Sequence, residues 1–91
     1  MIKNFARTYN GIKLHIEVVL PDDPTESPAS AILKCHSNYL GALRNNHDFL
    51  VFLENIIVEG SREINPEYKL VYTNNDFFGE KELSIKAKLG L

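Results

Sequence analysis

Cys35 and His36 are the first residues whose types could do chemistry: a thiol nucleophile and a base, side by side. Neighbours on a helix project about 100° apart, so His36 is badly placed to deprotonate Cys35. A base from His15 or His47 would have to arrive through the fold. The plainer reading makes Cys35 a small buried apolar residue. A zinc site fares no better, because Cys35 with His15, His36 or His47 matches no compact ligand spacing and no CxxC pair is present. Asp22, Asp23 and Glu26 gather three carboxylates in a loop with three prolines, which reads as a solvated connector. The glycines at 11, 41, 60, 79 and 90 are isolated, so no phosphate-cradling GxGxxG or GxxxxGK[ST] arises, and GxSxG and HExxH are absent. The sequence therefore predicts no catalytic residue, no metal and no cofactor.

A chain of 91 residues with 44% hydrophobic and 24% charged residues reads as one globular domain spanning 1–91. Net charge is −2 and the ten basic residues are scattered, which argues against nucleic acid as a partner. One cysteine, no apolar leader and no long apolar run lead to the expectation of a cytoplasmic protein without membrane spans.

The clearest element is a hairpin. Ile12, Leu14, Ile16, Val18 and Leu20 alternate with mainly polar residues after Asn10-Gly11, the dipeptide of a type I′ turn. The turn sets the register: Tyr9 with Ile12, Arg7 with Leu14, Phe5 with Ile16, Lys3 with Val18. Lys3 and Arg7 on the inner face mark strand one as an edge strand. After the proline loop, Ser27-Pro28 reads as the start of a first helix running to about residue 44, with Ile32, Leu33, His36, Tyr39, Leu40 and Leu43 at helical spacing. A second helix is predicted over 47–59, capped by Asn46 or His47 and ended by Gly60. Its stripe of Phe49, Leu50, Leu53, Ile56 and Ile57, widened by Val51 and Phe52, is apolar around most of its girth. Two more alternating runs, 68–73 and 82–89, complete a ββααββ order. The expected fold is α+β: a four-stranded antiparallel sheet of two hairpins with both helices on one face.

Between the last two strands stands "TNNDFFGEK", with adjacent Phe77 and Phe78. Two arrangements compete. In one, Asn74-Asn75 is a two-residue turn, strand four starts at Asp76, Phe77 pairs with Tyr72 in the core, and Phe78 points outward. In the other, 74–81 is a loop whose rings cap the core. The first supplies a contact site: Phe78, with Asp76, Val71 and Lys86 around it.

The expected function is that of a non-enzymatic protein-binding module, a small inhibitor, immunity or adaptor protein such as phages and mobile elements carry. A homodimer through the second helix is also expected, because so apolar a helix carries more surface than one sheet face covers. The alternative is a nucleic-acid-binding regulator, whose mark would be Lys13, Lys69, Lys86 and Lys88 converging on one sheet face. A third reading, a Cys35-dependent enzyme, would show itself in a fast-reacting thiol.

Overall fold

The computed structural model describes residues 1–34, 41, 43, 46–76 and 82–91. Five strands form one antiparallel sheet: β1 (Ile2–Tyr9), β2 (Ile12–Val19), β3 (Ala29–Lys34), β4 (Lys69–Asp76) and β5 (Glu82–Gly90), in the order β1-β2-β3-β5-β4. One bounded helix among the described residues, α1 (His47–Arg62), joins β3 to β4 and lies across one face. Among the described residues, five strands and one bounded helix stand where four strands and two helices were predicted.

The β1–β2 hairpin forms with the register that the turn dictates, from Tyr9 opposite Ile12 to Ile2 opposite Val19. Asn10 and Gly11 take the positive φ angles, 48° and 80°, that a type I′ turn demands. β1 is indeed an edge. Its inward charges are held by α1 and its C-cap: Lys3 pairs with the C-cap Glu63, and Arg7 donates to Glu59 at 2.6 Å while lying over the Phe5 ring.

Residues 29–34 form a strand where the start of a helix was predicted. Instead of opening a helix, these residues fill the slot between β2 and β5. Ala29, Ala31 and Leu33 are fully buried, while Ser30, Ile32 and Lys34 face the other way. Alternation is thus present, but alanine and serine carry no strong strand preference, and Ile32-Leu33 also fits a helical stripe. The ladders on both flanks, which satisfy the strand's backbone, decide the matter. Pro28 sits just ahead of the strand, where its missing donor costs nothing. Of the remainder of the predicted first helix, Gly41 and Leu43 are described and helical, with Leu43 buried in the core, whereas Cys35, His36, Tyr39 and Leu40 lie outside the described residues.

The second predicted helix is α1, longer than expected. The Asn46 side chain caps it by accepting from the Phe49 amide at 3.2 Å. Gly60 does not end it. It lies inside the helix, where a Cβ would stand 3.4 Å from the Phe5 ring and 3.6 Å from Val18. Glycine here lets α1 settle onto the hairpin. Phe49, Leu53, Ile56 and Ile57 bury against Leu14, Ile16, Val18, Leu33, Leu83, Ile85 and Leu89. Phe49 and Phe52 stack at 5.8 Å between ring centres, and Tyr9 packs edge-on to Phe49 at 5.0 Å and tilted against Phe52 at 5.2 Å. No large apolar residue of α1 is exposed, because five strands and the Tyr9 ring cover what four strands would leave bare. Leu50, Val51, Phe52 and Val58 remain partly exposed on the helix.

β4 also departs from expectation. It runs through Asp76, so Asn74 and Asn75 pair with Lys86 and Ile85 as strand residues and do not form a turn. Tyr72 therefore does not pair with Phe77; a bulge between Leu70 and Tyr72 shifts the register by one and sets it opposite Lys88, where an unbroken ladder would place Ala87. Thr73 comes to the inner face, where its hydroxyl donates to Glu54 on α1 at 2.8 Å. Phe77 and Phe78 lie outside the described residues.

Candidate functional site

α1 covers one face of the sheet, and the opposite face carries no described element. The registers line up its residues in rows. Ile2, Val19, Ser30, Lys86 and Asn74 form one row, and Asn4, Glu17, Ile32, Ser84 and Asp76 the next. Beyond the first row lie Lys88 and Tyr72, then Lys69 opposite Gly90. Beyond the second lie His15, Lys34 and Glu82, then Lys13. The alternation that buries Leu14, Ile16, Ala31, Leu83 and Ile85 necessarily turns their neighbours to this side.

The bulge creates the most distinctive corner. Val71 is the extra residue and is 58% exposed; Tyr72 is flipped outward and is 53% exposed. Tyr72, Asn74, Lys86 and Lys88, with Glu26 and Pro28 of the proline loop, line an open cleft of about 130 Å³. The proline loop is held beside this corner. Asp23 accepts from the Thr25 amide and hydroxyl at 3.0 and 2.6 Å, Pro24 is buried, and the Leu89 amide donates to the Pro24 carbonyl. The Thr25 hydroxyl, helped by backbone donors, holds the exposed Asp23 carboxyl below the usual carboxylate range. A second cleft, of about 240 Å³, lies at the far end between His15, Glu17, Ile32 and Lys34.

Of the predicted contact residues, Val71 and Lys86 belong to the Tyr72 corner, and Asp76 ends β4 in the row below. Phe78, their intended centre, lies outside the described residues. Tyr72 is the residue that sequence reasoning misassigned to the core. Nothing in Leu70-Val71-Tyr72 signals a bulge, since no glycine marks it. His15 sits on the open face and His47 on α1 across the sheet, so these two do not converge. Among the described residues, no three His, Cys, Asp or Glu side chains gather as a metal site, and no helix is long and apolar enough to cross a membrane.

Lys13, Lys69, Lys86 and Lys88 do share the open face. They do not form one field. Lys69, Lys86 and Lys88 cluster near Tyr72, whereas Lys13 stands about 27 Å away along the strand direction at ~3.4 Å per residue. Glu17 and Glu82 lie between. No family model matches the chain, and no curated protein or solved structure is significantly similar to it.

Proposed function

We propose that this chain is a non-enzymatic binding module of the inhibitor, immunity or adaptor kind, such as phages and other mobile elements carry, and that it grips a protein partner with the open face of its sheet. The observation that supports this reading most is the Tyr72 corner: an exposed aromatic and an exposed valine set among lysines and an asparagine, beside a docked loop. A tyrosine ring of this kind supplies a large rigid contact with a polar tip, the make-up of an interface anchor. The interleaving of Glu17 and Glu82 with the lysines suits a protein surface of mixed sign better than a phosphate backbone, which needs a field of one sign.

A second reading, binding of a nucleic acid, is favoured by one specific observation: four lysines on the same face as an exposed ring. Phosphate contacts release counterions, so such binding falls steeply with salt. One experiment separates the two. Affinity capture from the native host is done with the parent chain and with the paired variant Tyr72→Ala, Lys88→Glu. A protein that resists nuclease and is lost with the variant supports the first reading. A nuclease-sensitive ligand that washes off as salt rises supports the second. Recovery of neither, or of the same protein by both chains, overturns the assignment to this face.

A further inference from the structure

The Tyr72 corner has an apolar floor. Leu89 is fully buried, so alternation aims Gly90 at the open face. A Cβ there would stand 3.0 Å from the Val71 Cγ2, so glycine leaves the space in which the bulged valine lies against the sheet. Val71 and Tyr72 are consecutive, yet both lie on the open face, which an unbroken strand forbids.

The rim is cationic. Lys88 stands opposite Tyr72, and Lys69 stands opposite Gly90. These four residues mark a small square on the sheet. Its one diagonal joins the Tyr72 ring to the valine over Gly90, and the other joins the two lysines. At ~3.4 Å per residue and ~4.8 Å between strands, the lysine Cα atoms lie roughly 8 Å apart. Neither lysine makes an ion pair among the described residues. Lys86 and Lys88 line the cleft, whose one carboxylate is Glu26 of the proline loop. Cations are thus gathered at one corner of a chain whose net charge is −2.

We propose that this corner seats an acidic segment of the protein partner, one that carries an aliphatic or aromatic side chain between carboxylates. The inference rests on the reading of the open face as a protein-binding surface and names the chemistry that lands there. An apolar side chain covers Val71 and the Tyr72 ring along one diagonal. Carboxylates on either side of it reach Lys69 and Lys88 along the other. That spacing suits residues i and i+2 of an extended segment, about 7 Å apart. A neutral segment would cover two ammonium groups without supplying a counter-charge, which burial penalises.

NMR titration of the isotope-labelled chain at low salt tests this. The probe is a blocked synthetic peptide with glutamates on both sides of one leucine. It should shift the amides of Lys69, Tyr72 and Lys88, and the same peptide with lysine for glutamate should not. An all-glutamate peptide should bind severalfold more weakly, because it leaves the floor uncovered. Lys69→Glu with Lys88→Glu should weaken binding of the probe roughly tenfold or more. The same variant should take up the lysine peptide, a gain that a folding defect would not produce. Lys13→Glu, at the far end of the face, should leave binding unchanged. No shift at millimolar peptide, shifts outside the corner, equal binding of the all-glutamate peptide, or tighter binding of a single-stranded DNA oligonucleotide overturns the proposal. In affinity capture, a protein lost with Tyr72→Ala but kept by Lys69→Glu with Lys88→Glu also overturns it, and leaves the protein-binding reading standing. A probe that seats as expected while no protein is captured supports the corner's chemistry and sinks that reading alone.

Discussion

Leu53 is the test of whether α1 holds this fold as the packing requires. It is fully buried at the middle of the helix, over the centre of the sheet. Leu53→Ala removes three buried carbons; at about 0.8 kcal/mol each, the lost transfer energy is roughly 2.4 kcal/mol. The vacated space adds a cavity term. A residual void of roughly 60 Å³ at ~24 cal/mol per Å³ contributes about 1.4 kcal/mol. The expected loss is therefore about 4 kcal/mol, a large share of the ~5–14 kcal/mol typical of a chain this size. At 4–8 °C per kcal/mol, Tm should fall by roughly 15–30 °C. Val51→Ala, half-buried on the same helix, should cost much less. Urea and thermal melts by circular dichroism read both variants. If Leu53→Ala melts within a few degrees of the parent, the helix does not rest on the sheet in this way, and the argument from burial fails.

Gly60→Leu should destabilise by about 1–3 kcal/mol, because its side chain meets Phe5 and Val18. Gly60→Ala should be near neutral, the tight Cβ contact being offset by about 1 kcal/mol of helix propensity; a Leu variant as stable as the parent in thermal melts would show that the close approach is not there. Asn46→Ala should cost about 1 kcal/mol in a urea titration, and Asn46→Asp should retain most of that cap. Asp23 has a folded pKa below its unfolded one, so its contribution is present above the unfolded value and is lost as pH falls through the folded value. The small Tm gap between the parent and Asp23→Asn should thus be open at about pH 7 and close below about pH 4, and a gap that widens in acid would contradict the Thr25 contacts.

The elements that the sequence alone determined are those whose signals are local. Asn10-Gly11 fixes both its own turn and, by counting outward, every pair of the β1–β2 ladder. The alternation of Leu83, Ile85, Ala87 and Leu89 defines β5, and the Asn46 cap with the Phe49–Ile57 stripe defines α1. Residues 29–34 lacked such a signal. Their six residues suit a strand or the start of a helix, and the choice was made by β2 and β5. The same is true of the candidate site. Val71 and Lys86 could be named from alternation, but the corner is built by a bulge that turns Tyr72 outward and carries β4 through Asn74 and Asn75. A turn encodes register over a few residues through its own φ angles. A bulge and a central strand are set by which partner, many residues away, buries the most apolar surface and leaves the fewest backbone groups unpaired.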